Sequence, residues 1–480
     1  MNISSQTEEK VKKKEKTPSY IADIRMRTNK KQTRNLLVKG EMGRLLYNAC
    51  LGESLKRLQK IKKTDLYKET IALDKVKDKE KRKDNFKQLN ETFGFTDASI
   101  QSFGTKTKND SKMIAYHLGT HVCQKIATRA FRAVQKVAFH KAKRVQFKRK
   151  GEFVSLEGKS NKTFLTYSNG YVMVGKDTIP CVFPKGDKDK WLNHALQQRV
   201  KFCRIVKRII KGKDVFYLQL TLEGYPYQKY KMGDETAGFD IGPSTIATVT
   251  DSFAELRSFC EGIPNLDKEK CKLQRKSDRQ RRANNPQYYN ENGTIKKGRK
   301  RWHISNQMKK TLAELREIER KITTTRKTLH GYHSNRIIEK AKIIKSEKLS
   351  YKAFQKLYGR SVARSAPAMF VNLVKEKLKR RNGTFIDIPT RTTKLSQTCH
   401  CGNVKKKKLS ERWHTCECGM KAQRDLYSAF LAKCVTKSKK LSFPQAKKQW
   451  KNIQVLLDDC MNDLKKKRKE GKSIPSSMGV

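Results

Sequence analysis

The stretch Ala237-Gly238-Phe239-Asp240-Ile241-Gly242-Pro243 decides the fold of the second half of the chain. Its apolar residues predict a strand, and Gly242-Pro243 predicts a turn before the next apolar run, which ends at Val249. Asp240 is conspicuous because it is a carboxylate within an apolar strand of a strongly basic chain. The pattern therefore predicts a strand pair with a glycine corner and one acidic side chain at the centre or end of its first strand.

Two further carboxylates follow this strand pair. Glu347 comes after Ile343-Ile344, a short strand candidate, and Asp425 opens a predicted helix directly after Arg424. Taken alone, each acid is more often a solvated side chain or a helix cap. Together, acids from two strands and a helix have the spread of an RNase-H-type site, in which carboxylates bind divalent cations. Such cations activate water and stabilise the leaving 3′ oxygen of a phosphodiester.

Four cysteines form two close pairs between the second and third acids. They are Cys399, Cys401, Cys416 and Cys418, and a glycine follows each pair. Thiolates suit tetrahedral Zn²⁺, and glycine permits the tight turns that such a site needs. Incidental thiols are one alternative, and two disulfides are another that a reducing compartment disfavours. Because the C-x-C spacing is shorter than the usual C-x₂-C, His400 and His414 are substitute ligands.

The charge of the chain favours a polyanionic partner. Its 480 residues include 110 Lys+Arg and 46 Asp+Glu, which gives a formal net charge of +64. This excess argues against most small-molecule metabolic enzymes and favours nucleic acid, with a lysine-rich soluble protein or a membrane-surface protein as alternatives. The hydrophobic content of 36% still allows packed cores, and the length predicts two to four domains.

The sequence predicts neither membrane insertion nor secretion. It contains no apolar run of about 18 residues, and its first residues lack the apolar region of a secretory signal. The 12 cysteines, most of them scattered, are typical of reduced cytosolic thiols. We therefore expect a cytoplasmic protein with no membrane partner.

Hydrophobic periodicity divides the first half into strands and helices. Residues 20–27 alternate as a half-solvated strand does, and helical patterns follow at 41–63, 64–93 and 111–144. Strand signals return from Val145, and Asn169-Gly170 between two β-rich runs predicts a hairpin. The first half is therefore predicted to be a mainly β unit that a helical insert interrupts near its start.

Two basic segments are candidate nucleic-acid contacts. One precedes Trp302 and combines cations with Tyr288 and Tyr289, which suit phosphates and stacked bases. The other is the helix at 111–144. The candidates are Arg275, Lys276, Arg279, Arg281 and Arg282 in the first segment and Lys125, Arg129 and Arg132 in the second. The alternative for each is an ordinary solvated helix face.

In their order along the chain, several of these segments resemble a nuclease family. They are similar to the RuvC-like nuclease of TnpB transposon proteins and of their descendants, the compact type V CRISPR effectors. The resemblance rests on Gly238–Pro243, Leu273–Ser277, Lys345–Leu349, Ser396–Cys399 and Gln423–Asp425. It covers roughly residues 233–434, whereas the first half resembles the family only in architecture.

The resemblance implies an RNA-guided DNA endonuclease that recognises a short motif beside its target. Its partners would be a guide RNA and target double-stranded DNA, in the cytoplasm of a bacterium or archaeon near the nucleoid, with a homodimer as a further possibility. Asp240, Glu347 and Asp425 would bind two catalytic Mg²⁺, the four cysteines would bind one structural Zn²⁺, and Arg424 would steady the scissile phosphate. The alternative functions are an RNA-guided repressor without cleavage and an RNA-binding structural protein.

The predicted fold class is multi-domain α+β. An N-terminal β-barrel, or wedge, with a helical recognition insert precedes an RNase-H-like (RuvC) α/β nuclease with an inserted zinc ribbon. The predicted parts are a charged tail at 1–19, wedge strands at 20–40, the helical insert at 41–142, the rest of the wedge at 143–232, the nuclease at 233–395 and 422–436, the zinc ribbon at 396–421, and a basic C-terminal tail at 437–480.

Overall fold

A computed structural model describes residues 17–184, 189–259, 261–263, 266–408 and 410–480. The chain divides into two compact units, Met1–Tyr227 and Gln228–Val480. Residues 1–16 of the predicted charged tail lie outside the described residues. Within the described part of the chain, no helix combines the length and the apolar character needed to cross a membrane.

The first unit contains one antiparallel sheet of seven strands. The strands are β1 (Ser19–Met26), β2 (Ser155–Glu157), β3 (Leu165–Ser168), β4 (Tyr171–Val174), β5 (Asp177–Val182), β6 (Val200–Ile210) and β7 (Lys213–Glu223). Their order is β2-β6-β7-β1-β5-β4-β3. Every second residue of β1 is buried, from Tyr20 to Met26, so the predicted half-solvated strand is confirmed.

Six helices lie between β1 and β2 in the chain. They are α1 (Lys30–Lys63), α2 (Asp65–Ala72), α3 (Lys79–Thr92), α4 (Asp97–Asn109), α5 (Lys112–His117) and α6 (Thr120–Ala138). Their apolar faces share a core that includes Leu46, Leu51, Ile100 and Ile126. A short helix, α7 (Lys190–Leu196), lies between β5 and β6.

The first helix begins earlier than predicted. It starts at Lys30, inside the 20–40 segment that was predicted to be strands. The side chain of Asn29 accepts a hydrogen bond from the backbone N–H of Gln32 at 2.8 Å, and the Gln32 side chain accepts one from the Asn29 N–H at 3.1 Å. This capping box satisfies two amides at the helix start. The strand prediction is therefore wrong for residues 30–40.

The predicted hairpin at Asn169-Gly170 is confirmed. Strands β3 and β4 pair with Leu165 opposite Val174 and Ser168 opposite Tyr171. The turn residues have φ angles of 46° and 82°. Two consecutive left-handed residues are what a tight two-residue turn requires, which explains why asparagine and glycine occupy these positions.

The second unit is built on a mixed sheet of five strands. The strands are β8 (Glu235–Ile241), β9 (Thr245–Val249), β10 (Ala254–Ser258), β11 (Ala341–Glu347) and β12 (Thr384–Ile388). Their order is β10-β9-β8-β11-β12. Strands β8, β9 and β10 form an antiparallel meander, whereas β11 is parallel to both β8 and β12. The strand that carries Asp240, β8, is therefore the central one.

Helices cover both faces of this sheet. The helices are α8 (Asp267–Asn284), α9 (Asn306–Ile338), α10 (Tyr351–Leu357), α11 (Gly359–Ser365), α12 (Pro367–Arg380), α13 (Thr390–Thr393), α14 (Arg424–Lys433) and α15 (Phe443–Lys469), and a small hairpin of β13 (Trp413–Thr415) and β14 (Lys421–Gln423) precedes α14. On one face, Phe239 and Ile344 share a core with Phe370 of α12. On the other, Val249 shares a core with Phe430 of α14.

The segment predicted as a basic tail at 437–480 is mainly a helix. Helix α15 begins after Ser442, whose side chain caps it, and continues to Lys469. Ala446, Ile453, Leu457 and Met461 form a stripe that is buried in the core beside α14. Lysines occupy the other faces of the helix, and their number concealed the stripe in the sequence. The tail prediction is therefore wrong for residues 443–469.

Candidate metal sites

Helix α14 lies directly against β8 because Gly238 has no side chain. A Cβ on Gly238 would lie 1.8 Å from the carbonyl oxygen of Ala429 and 2.6 Å from the backbone nitrogen of Lys433. Gly238 and Asp240 point to the same face of the sheet, since they are two residues apart on a strand. Ala429 and Asp425 are about one helical turn apart. Asp240 therefore faces the first turn of α14, where Asp425 lies.

Strand β11 brings Glu347 to the same face. Lys345 pairs with Gly238 in parallel register, so two residues further on Glu347 comes level with Asp240. The Nζ of Lys345 donates to the carbonyl oxygens of Lys433 at 2.7 Å and Val435 at 2.5 Å. These bonds hold the C-terminal end of α14 to β11, on the face from which Glu347 also projects.

The charges of the other two carboxylates act on Asp240. Burial raises the pKa of Asp240 well above its usual range, the negative charges of Asp425 and Glu347 raise it further, and Arg424 opposes them. Burial also raises the pKa of Glu347 to about 7. Acids from β8, β11 and α14 thus lie close enough for the negative charges of Asp425 and Glu347 to oppose ionisation of Asp240. Oxygen ligands of this kind suit Mg²⁺ or Mn²⁺, which would relieve the repulsion.

The four cysteines form a compact group of candidate metal ligands. Among the described residues, the four thiols are the one group of three or more histidine, cysteine or acidic side chains whose ligand atoms all lie within 4.8 Å of one another.

Arg424 is hydrogen-bonded to its neighbour Asp425. Its Nε and Nη2 lie 3.2 Å and 3.1 Å from Oδ1 of Asp425, and its Nη1 donates to the carbonyl oxygen of Glu411 at 2.8 Å. The side chain of Gln423 caps α14 by accepting from the Leu426 N–H at 2.8 Å. Asp425 is thereby fixed in the first helical turn, where the helix dipole favours an anion.

The four cysteines face one another. The sulfur atoms of Cys399 and Cys418 are 3.6 Å apart, as are those of Cys401 and Cys416. Four sulfurs around a zinc ion at about 2.3 Å would be about 3.8 Å apart, whereas disulfide sulfurs are separated by about 2.05 Å. The cluster can therefore hold a structural zinc ion, and the disulfide alternative is wrong because all four thiols are free.

Glycine turns make the short C-x-C spacing compatible with this cluster. The N–H of Gly402 donates to the carbonyl of Cys399, and that of Gly419 to the carbonyl of Cys416, both at 3.0 Å. Both glycines have positive φ angles, 101° and 83°, a backbone conformation that favours glycine. A backbone N–H from Cys418 also lowers the pKa of the Cys416 thiol to about 7, which favours the thiolate that a metal binds.

His400 and His414, the two predicted substitute ligands, are not part of the four-cysteine cluster. The Nδ1 of His400 is 2.9 Å from the hydroxyl oxygen of Tyr427, and its ring stacks on Trp450 with centroids 5.2 Å apart. The ring of His414 packs on Tyr427 at 4.8 Å. The Tyr427 hydroxyl also donates to Sγ of Cys399 at 3.6 Å. Tyr427 thus connects the thiol cluster to α14.

The predicted nucleic-acid contacts of α6 differ in accessibility. Lys125 lies 3.0 Å from the Glu157 carboxylate, and Arg129 donates to the carbonyl of Ser155 at 2.9 Å. Both side chains therefore attach α6 to β2, and burial lowers the pKa of Arg129. Arg132, by contrast, is exposed.

Two of the predicted contacts of α8, Arg281 and Arg282, lie against aromatic rings. The Arg281 guanidinium lies 5.5 Å from the Trp302 ring centroid, and its Nε donates to the Tyr289 hydroxyl at 3.0 Å. Arg282 lies 5.6 Å from the Tyr289 ring. Arg275 and Arg279 are exposed on the same helix, and Lys276 is half-buried. The sequence predicted no role for Lys345 itself within the Lys345–Leu349 segment. The one sequence signal for the close approach of α14 is the glycine at position 238 within a strand.

Comparison with protein families supports the resemblance over part of the chain. Residues 368–431 match the family described as Cas12f1-like, TNB domain. This segment includes β12, the thiol cluster and most of α14 with Asp425. The resemblance to the compact type V effectors is therefore confirmed over these residues. No curated protein matches the sequence.

Two solved structures resemble the chain at low sequence identity. A cryo-EM structure of a Cas12f1–sgRNA–target DNA complex is 11% identical, with 86% of this chain and 98% of that chain covered and a TM-score of 0.42. A cryo-EM structure of a CRISPR-Cas12f ternary complex is 12% identical, with 88% and 100% covered and a TM-score of 0.28.

Proposed function

We propose that this protein is an RNA-guided DNA endonuclease with a single RuvC-like site. The observation that carries the proposal is the convergence of Asp240, Glu347 and Asp425 from two neighbouring parallel strands and one helix. An antiparallel meander followed by parallel strands, with a helix across the central strand, is the arrangement expected of an RNase-H-like nuclease. The Cas12f1-like family match extends through the third of these acids.

The carboxylates are suited to hold two magnesium ions. The chemistry that such a pair supplies when bound is the activation of water and the stabilisation of the leaving 3′ oxygen. Asp240 and Glu347 hold their protons more tightly than ordinary acids, so they release them as cations bind. Arg424 offers a guanidinium beside Asp425, where it orients a phosphate of the bound strand.

The partners of the protein are a guide RNA and target double-stranded DNA. A chain with a formal charge of +64 is suited to bind a highly charged polyanion. Contacts with phosphates are the principal source of affinity of such a chain for nucleic acid. We assign phosphate and base contacts to the exposed cations of α8, their neighbouring aromatic rings, and Arg132. Base pairing with the guide would select the target, and the protein would read a short adjacent motif.

The remaining assignments follow from the same proposal. The strands of the first unit would be the wedge, helices α1 to α6 the recognition insert, and residues 396–421 a zinc ribbon that supports α14. A zinc ion fits the sulfur spacing at Cys399, Cys401, Cys416 and Cys418. A homodimer remains part of the proposal.

Sequencing the RNA that co-purifies with the full-length protein tests the guided mechanism. We expect one defined RNA species with a variable end, and cleavage of DNA that pairs with that end in Mg²⁺ but not in EDTA. A heterogeneous RNA population and no target-dependent cleavage would instead support an RNA-binding structural protein. Target binding without cleavage in Mg²⁺ would support an RNA-guided repressor.

A further inference from the structure

A cavity beside the edge strand β10 is separate from both metal sites. It has a volume of about 1040 Å³ and is bordered by β10, the last turns of α9, α11 and the C-terminal part of α15. None of the three carboxylates and none of the four clustered cysteines lines it. The volume is at the upper end of the range for small-molecule sites.

Two arginines converge on one carboxylate in the cavity wall. Nη1 of Arg257 lies 3.1 Å from Oε1 of Glu255, and Nη1 of Arg336 lies 3.4 Å from the same oxygen. One carboxylate orders two guanidinium groups and neutralises only one of their charges. The Nε of Arg257 is buried and has no hydrogen-bond partner within the described part of the chain. This corner of the cavity therefore presents a preorganised positive charge with an unused donor.

His333 lines the same cavity with an unsatisfied imidazole. Its side chain is almost fully buried, with 3% exposure, and neither ring nitrogen has a hydrogen-bond partner among the residues described. Burial and the nearby cations Arg257 and Arg336, together with His330, lower its pKa to about 3. At neutral pH the ring therefore offers one donor and one acceptor. Buried polar groups without partners are costly, so a ligand that satisfies both nitrogens would be stabilised.

An aromatic surface lies next to these groups. Tyr332 also lines the cavity, and its side chain is 57% exposed. The Arg336 guanidinium is 5.9 Å from the Tyr332 ring centroid. The planar base of a nucleotide can stack on such a ring while the phosphate of the same nucleotide reaches the arginine. The cavity thus contains cationic groups that can bind an anion, an imidazole that can pair with a hydroxyl, and a surface for stacking.

We propose that this cavity binds a nucleotide. Its phosphate lies at Arg257 and Arg336, a ribose hydroxyl pairs with His333, and the base stacks on Tyr332. A free nucleotide and the terminal nucleotide of a strand present the same phosphate and ribose, so both have the required chemistry. The site is assigned no catalytic step, and it does not depend on the carboxylate site or on the proposed nuclease activity.

Calorimetric titration of the full-length protein, freed of nucleic acid, with AMP tests the site. In about 0.15 M salt, where contacts between exposed charges are screened, we expect one AMP per chain. Arg336→Gln should weaken binding at least tenfold, because a charged hydrogen-bonded contact to the phosphate is lost. Adenosine should bind at least tenfold more weakly than AMP. Arg316→Gln is the matched control, since Arg316 is an exposed arginine of the same helix outside the cavity.

Several outcomes decide the proposal. Absence of AMP binding, or equal weakening by Arg316→Gln and Arg336→Gln, would overturn it. His333→Phe should weaken AMP binding as well, with unchanged thermal unfolding as the check that the variant is folded. If Arg336→Gln alone weakens binding, a tetranucleotide with terminal phosphates then identifies the source. Its competition with AMP would indicate a strand end, and failure to compete would indicate a free nucleotide.

Discussion

The backbone of Gly238 approaches the carbonyl oxygen of Ala429 so closely that a Cβ on Gly238 would lie only 1.8 Å from it. Because the opposing atom belongs to the helix backbone, rotation of a side chain cannot relieve such a contact. The approach fixes α14 against β8 and thereby sets the position of Asp425 relative to Asp240. The geometry of the proposed active site is therefore determined in part by a residue with no chemical group of its own.

Replacing Gly238 by alanine should displace α14. We expect Gly238→Ala to destabilise the protein by about 1–3 kcal/mol or more, as overpacked interiors do, and to reduce target cleavage at least tenfold. Gly331→Ala is the matched control, because Gly331 lies within α9 and a Cβ there would meet open space. The control should be neutral or stabilising by up to about 1 kcal/mol. Equal effects of the two substitutions on unfolding and cleavage would refute this role.

Lys345 should stabilise the opposite end of α14. Lys345→Met removes the ammonium group that donates to the carbonyls of Lys433 and Val435. Because both carbonyl oxygens lose this donor, we expect the free energy of unfolding to fall by about 1–3 kcal/mol. Lys342→Met, at an exposed position of the same strand, should change the unfolding free energy by less than about 0.5 kcal/mol. Chemical denaturation of both variants measures the difference, and indistinguishable midpoints would contradict the prediction.

The acidic site was largely predictable from sequence because its motifs are local. Asp240 is an acid in an apolar strand, and Asp425 opens a helix directly after an arginine, so both positions can be read from a few residues. The residues that align them were not apparent. The contact of Lys345 with Val435 spans 90 positions, and no short pattern indicates which carbonyls a lysine will reach.

Glu347 should make the metal-free protein less stable as the pH rises. Its pKa of about 7 is above its ordinary value of 4.5, so between these values the folded state binds more protons than the unfolded chain. The protonated acid therefore contributes stability at low pH, and this contribution is lost as the pH rises towards and through 7. The free energy of unfolding should fall by about 2–3 kcal/mol over this range. We expect Glu347→Gln to be more stable than the wild type at pH 8 in EDTA.

The comparison of these two proteins at pH 4 provides the control. There Glu347 is protonated in both the folded and the unfolded state, so the wild type and Glu347→Gln should unfold at similar temperatures. Adding Mg²⁺ at pH 8 should raise the unfolding temperature of the wild type more than that of the variant. A stability difference independent of pH, or an equal response to Mg²⁺, would count against the assigned role of Glu347.

The thiol cluster should contain one zinc ion per chain. Cys401→Ser should lose the metal and lower the unfolding temperature, since a structural zinc contributes directly to folding. Cys271→Ser is the control because Cys271 is exposed on α8. Elemental analysis of the purified proteins measures the zinc content. Retention of a full equivalent of zinc by Cys401→Ser, or its absence from the wild type, would show that this assignment is wrong.

The parts of the fold that the sequence concealed have physical explanations. The start of α1 depends on the capping box of Asn29 and Gln32, a polar signal within a segment interpreted by its apolar pattern. Lysine-rich composition obscured the buried stripe of α15. The roles of His400 and His414 could not be settled from spacing, because they depend on the rings of Tyr427 and Trp450.

The rate of target DNA cleavage by Asp240→Asn, assembled with the co-purified RNA, tests the central claim most directly. Asparagine keeps the shape of the side chain but lacks the charge that binds a cation, so cleavage should fall at least a hundredfold while target binding is retained. Asp234→Asn, an exposed acid close by in the chain, should cleave as the wild type does. Wild-type cleavage by Asp240→Asn would contradict the claim that the three carboxylates form the nuclease site.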